Sequence, residues 1–292
     1  MAANSNPTVR RRRLGAELRR LRLASGLKST EVAERLMVSQ PKISHLENGR
    51  RTISSRDVRD LCALYGVTDP HVIDSLMQMA KESGQQGWWQ AYGDIPQSIY
   101  TALETDATSL HAYEPMAIHP LLQTPAYAYA VIEETIPLLT TEEADTRLHV
   151  RLRRQHRIYD PTRPLHLRVV LDESVLRRVV ASPDVMREQL EHLNALGAEP
   201  HITVQVLPYT AGAHPSMSGQ FSILRFADST EASVAYLERF TSDLYLEKPS
   251  DVQHYSLLHD RLQAQALSPD NSRDFITDVA KTYIDAVSHA SP

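Results

Sequence analysis

Two short amphipathic segments stand only two residues apart near the start of the chain. In 29–36, Val32, Ala33 and Leu36 recur at helical spacing. In 39–48, Ile43 and Leu46 do the same, and Met37-Val38 between them leaves room for one tight turn. The flanks extend the pattern to five short helices over 14–83. Leu14, Leu18 and Leu21 form the first stripe, with Gly26 as its stop. Ser29 or Thr30 can cap the second helix. Ser39 can cap the third, where Pro41 is tolerated in the first turn and Asn48-Gly49 ends the run. A fourth helix starts at Ser54 or Ser55 and buries Val58, Leu61 and Leu64. A fifth starts near Asp69-Pro70 and carries Val72, Ile73, Leu76, Met77 and Ala80.

Charge separates this head from the rest. Residues 1–84 hold 15 Lys and Arg against 9 Asp and Glu, a net of +6, and four arginines run consecutively from Arg10 to Arg13. Residues 85–292 hold 16 against 27, a net of −11. A basic module joined to an acidic one suggests a polyanion-binding head, although a basic run is equally often a solvated face. The arginine run is read as a basic arm over 1–13. No apolar run is long enough to span a membrane, and no apolar stretch follows the basic N-terminus to make a signal peptide. One cysteine, Cys62, excludes an internal disulfide framework and a cysteine-based zinc site, and a reducing cytoplasm is the simplest compartment.

Residues 84–109 read as a connector. It carries Trp88-Trp89, an indole pair costly to leave wet, and a short helix near Ile99 to Leu110. Beyond it, helical stretches at 124–134, 141–158, 183–196, 250–266 and 270–288 alternate with strand-like runs. Those runs are 166–171, 202–207, 221–226, 233–237 and 244–246. Short connections between the last three predict an antiparallel meander. The fold class is therefore an all-α five-helix head followed by an α+β domain over 110–292 with a mainly antiparallel sheet.

A helix, a tight turn and a second helix form the arrangement whose second helix enters the DNA major groove. The base-reading candidates are Gln40, Lys42, Ser44 and His45, since Gln can pair with adenine and Lys with guanine. Phosphate contacts are assigned to Ser29 and Thr30 at a helix N-terminus and to Arg50 and Arg51 after the recognition helix.

This stretch resembles the Cro/repressor-like, or XRE-type, helix-turn-helix family. The resemblance rests on Leu18-Arg19-Arg20-Leu21-Arg22, Gly26-Leu27-Lys28, Glu31-Val32-Ala33-Glu34-Arg35-Leu36 and the run from Val38 to Arg50. It implies a structural ion pair between Arg22 and Glu47, and a two-fold dimer on a near-palindromic double-stranded operator. Pro41 stands where that family usually has a polar residue, which removes one candidate base reader. The remainder resembles a C-terminal domain of unknown function found behind this motif in actinobacterial regulators. The matching residues include Trp88-Trp89, Tyr113-Glu114-Pro115, Leu121-Leu122-Gln123-Thr124-Pro125, Val206-Leu207-Pro208, Gly212-Ala213-His214-Pro215 and Tyr245-Leu246-Glu247. His119-Pro120 replaces the Pro-Gly usual before Leu-Leu-Gln-Thr. Such regulators are often encoded beside a small partner protein and are described as antitoxin-like.

Catalytic chemistry finds little support. No histidine pair has helical metal-site spacing, and no nucleophile elbow or phosphate-cradling glycine loop is present. His214 is the best single candidate for chemistry, though a turn role suits it better. Asp172 reads as a helix cap rather than an acid/base partner of Glu173. No cofactor, metal or catalytic residue is expected. The expectation is a cytoplasmic, DNA-binding transcriptional regulator whose body dimerises and binds a small protein or effector. Its candidate partner surface is Tyr113, Leu121, Leu122, Tyr127, Tyr209, His214 and Tyr245. The alternative for these residues is that they close the body's own core. The rival functions are an antitoxin that neutralises a neighbouring small protein and autoregulates, and an enzyme targeted to DNA.

Overall fold

The computed structural model describes residues 9–49, 51–83, 98–136, 138–227, 233–239 and 243–289, and the chain divides into two units, Met1–Asp106 and Ala107–Pro292. Trp88-Trp89 and Arg50 lie outside the described residues.

The first unit carries six helices among the described residues: α1 (Val9–Ala24), α2 (Ser29–Arg35), α3 (Gln40–Glu47), α4 (Ser55–Leu64), α5 (Pro70–Ser83) and α6 (Ser98–Asp106). The apolar spacing that predicts the first five also builds their core. Leu14 and Leu18 of α1, Val32 of α2, Ile43 and Leu46 of α3, and Val58, Leu61 and Cys62 of α4 are buried together, with Leu76 and Ala80 of α5. Of the basic arm, Arg10 to Arg13 fall among the described residues. They lie in the first turns of α1, since arginine is a good helix former, although no acidic residue offsets the helix dipole there. Ser29 and Thr30 stand inside α2 rather than capping it. Lys28 is the cap, and its backbone N–H donates to Glu31 Oε2 at 2.6 Å. Ser54 caps α4 as expected, in a reciprocal box with Asp57.

The second unit is a mixed six-stranded sheet in the order β3-β2-β1-β4-β5-β6. The strands are β1 (Ser109–Glu114), β2 (His166–Asp172), β3 (Ile202–Leu207), β4 (Phe221–Arg225), β5 (Val234–Leu237) and β6 (Leu244–Leu246). Three of the five pairings are antiparallel, including the expected β4-β5-β6 meander, while β1, β2 and β3 run parallel. The central strand β1 overlaps only the last two residues of the helix expected near Ile99 to Leu110, and no strand is expected from the sequence there. The helices are α7 (Pro125–Thr135), α8 (Thr141–Gln155), α9 (Glu173–Arg177), α10 (Pro183–Leu196), α11 (Pro249–Gln265) and α12 (Pro269–His289). α11 lies across β1, β3, β4 and β5, and α10 packs against α12. Asp172 caps α9 through Ser174 N at 2.9 Å, as its sequence position suggests. His119-Pro120 opens a single 3-10 turn, Pro120–Leu122. Pro120, which stands at the glycine position, is the first residue of that turn, where its ring is tolerated, and His119 Nδ1 accepts from Leu121 N at 3.2 Å, so the glycine is not required here.

Candidate nucleic-acid interface

Turn geometry sets the angle between α2 and α3. Met37 adopts φ 52°, a left-handed conformation that a residue with a Cβ rarely takes, and its side chain is 92% exposed. Val38 N closes the turn onto Ala33 O at 2.9 Å. α3 then buries Ile43, Leu46 and Glu47 and leaves Gln40, Pro41 and His45 exposed, so its outward face starts at its N-terminus. Ser39 occupies the cap position without a side-chain capping bond.

Two contacts fix α3 against α1. Arg22 donates from Nε to Glu47 Oε1 at 2.6 Å and from Nη2 to Oε2 at 2.9 Å, a bidentate pair that is nearly fully buried. Its Nη1 reaches Leu27 O at 2.8 Å, tying in the α1–α2 loop. The hydrogen bond that Arg22 donates to Glu47 raises its guanidinium above the ordinary value, and burial beside Glu47 pushes the Tyr65 phenol up. The second contact is backbone. A Cβ on Gly15 would lie 2.5 Å from Leu46 O and 2.6 Å from Glu47 O. Gly15 is therefore what lets α1 sit against the last carbonyls of α3, and no signal in the apolar stripe points to it.

The assigned DNA-facing residues fare differently. Gln40 Nε2 donates to Ser29 Oγ at 3.4 Å, which joins the start of α3 to the start of α2. Lys42 is half-buried and its Nζ lies 3.4 Å from Asp57 Oδ1, a partner on α4 that sequence reasoning missed. Burial pushes the Asp57 carboxyl up, but the hydrogen bonds from Ser54 and the charge of Lys42 outweigh it and hold the group below its ordinary value. Ser44 accepts from Asn48 Nδ2 at Oγ, 3.3 Å, and at its carbonyl, 2.8 Å. Arg51 is exposed, as is Thr30 at the start of α2.

The proposed partner surface on the body is largely corrected. Tyr113, Leu121, Leu122 and Tyr127 are core residues, each at most 1% exposed. Tyr113 points from the central strand into a cluster with Val170, Phe221 and Leu262, and Tyr127 Oη accepts from Ile118 N. Tyr209 is exposed. Tyr245 is half-buried, its ring 5.1 Å from Tyr236. His214 is half-buried as well, with Nε2 3.2 Å from Tyr113 Oη. Among the described residues, no group of His, Cys, Asp or Glu could hold a metal ion, and no helix is long and apolar enough to cross a membrane.

This arrangement defines a helix-turn-helix protein, the mark of a DNA-binding regulator, with a body of helices on a mixed six-stranded sheet. The family of helix-turn-helix domains matches residues 13–76. A family described as a domain of unknown function (DUF5753) matches residues 97–278, and the chain belongs to that family. No curated protein and no solved structure matches the chain.

Proposed function

We propose that this chain is a cytoplasmic, sequence-specific transcriptional regulator of the XRE type, without enzymatic activity. It binds a near-palindromic operator as a homodimer. The observation that carries the reading is the rigid presentation of α3. Its inner face is clamped by the buried Arg22–Glu47 pair, while Gln40 and His45 stay exposed at and beyond its first turn. Gln40 and His45 read base edges. Lys42 joins them by exchanging Asp57 for a base, and Ser44 by giving up its bond from Asn48. Ser29, Thr30, Arg50 and Arg51 hold phosphates. Two such heads about 34 Å apart read one DNA turn, and the acidic body keeps DNA on the head.

The body supplies much of the dimer contact and binds a small partner protein, antitoxin-like in manner, or an effector. Tyr209, His214 and Tyr245 remain for that surface. Replacing Gln40 by Ala should cost about 1–3 kcal/mol on a selected operator and relax one base position. An equal loss on specific and random duplexes would contradict the assignment.

A further inference from the structure

Beneath α11 the sheet holds two buried imidazoles beside a guanidinium, a cluster that DNA binding does not use. His111 of β1 and His259 of α11 stack with ring centroids 4.9 Å apart. His259 is fully buried and His111 nearly so. Arg225, the last residue of β4, places Nη1 3.2 Å from both ring nitrogens of His111 and Nη2 3.2 Å from Ser256 Oγ. Neither ring nitrogen of His259 has a hydrogen-bond partner among the described residues. The Arg168 carbonyl lies near enough to favour its charged form, without hydrogen-bonding geometry. The Arg168 side chain, on β2, is exposed and gives the cluster a solvent-facing side. Asp260, exposed on α11, acts on His259 and favours its charged form.

An imidazole buried without a well-aligned hydrogen bond, beside a half-buried guanidinium that has no carboxylate partner among the described residues, costs desolvation energy with little return. A water could satisfy the imidazole but would leave the guanidinium charges unbalanced. An oxyanion meets both needs, accepting from the guanidinium and from imidazole N–H groups. We propose that His111, His259 and Arg225 bind the oxyanionic group of a small molecule, a carboxylate or a phosphate, with Arg168 at the mouth. Burial of both imidazoles under α11 limits the ligand to a free anion or the end of a small metabolite.

The test is thermal unfolding of the full chain with increasing sodium phosphate and, separately, sodium succinate, each against sodium chloride at equal ionic strength. A saturable rise in melting temperature with one of them is expected, and the active arm identifies the group. Arg225→Gln should weaken that binding at least about tenfold. Arg168→Gln, at an exposed position, should weaken it several-fold with folding intact, and decides the matter if Arg225→Gln does not fold. No saturable rise with either anion overturns the proposal, as does binding unchanged in the variant that folds.

Discussion

Single residues decide how firmly α3 is held. Removing the Glu47 carboxylate leaves Arg22 charged and buried without its partner, so Glu47→Ala should destabilise the head by about 3–5 kcal/mol in denaturant unfolding. Gly15→Ala should also lower head stability, by about 1–3 kcal/mol, because the new methyl meets backbone carbonyls that cannot swing aside. Met37 works the other way. Its left-handed backbone costs an ordinary residue about 1–2 kcal/mol, and its exposed side chain returns little packing. Met37→Gly regains part of that cost, offset by glycine's greater freedom when unfolded, so a small gain in melting temperature is expected. A loss there would mean that the Met37 side chain packs in solution.

At the scale of elements, the sequence carries the helices of the head because each has one apolar stripe and a recognisable end. Leu14 and Leu18, or Val58 and Leu61, announce a buried face wherever they stand. The Arg22–Glu47 pair is legible only through resemblance, since 25 residues separate its members. The Lys42–Asp57 contact and the approach at Gly15 depend on how helices cross, which spacing within one helix does not encode. In the body the strand-like runs announce five strands but not β1. Ser109 to Glu114 contains no β-branched residue, and its His111 and Glu114 read as polar positions. Only the strands on either side and α11 above make it the centre of the sheet. Tyr113, Leu121, Leu122 and Tyr127 read as a partner surface for the same reason: the strand and turn that bury them are not visible locally. Lys42→Ala isolates one such interelement contact. It should leave the melting temperature of the head within about 1 kcal/mol of stability, because both partners are partly exposed, while weakening operator binding in a filter or fluorescence titration.

Across the whole molecule, acid should act on the body. Burial lowers His111 and His119 to about 3 and His259 to about 4, with nearby arginines adding to the effect. The unfolded chain takes these three protons near pH 6.5 and the folded chain does not. Stability is therefore fully present above that pH and falls as pH drops towards 4, by up to about 4 kcal/mol per pH unit. Glu114 opposes one of the three. Burial and then Glu238 push its carboxyl well up, so the folded state binds its proton first and gains as pH falls towards the ordinary carboxylate range. Melting temperatures of the full chain from pH 7.5 to 5 should fall more steeply for the wild type than for His111→Gln. In the proposed function DNA is engaged by α2, α3 and the loop after them, and not by the acidic body. Hydrogen–deuterium exchange of the full chain, with and without a saturating operator duplex, measures this segment by segment. The expected result is slowed exchange concentrated in residues 29–51. Protection confined to the body, with α3 exchanging as in the free protein, would contradict the account.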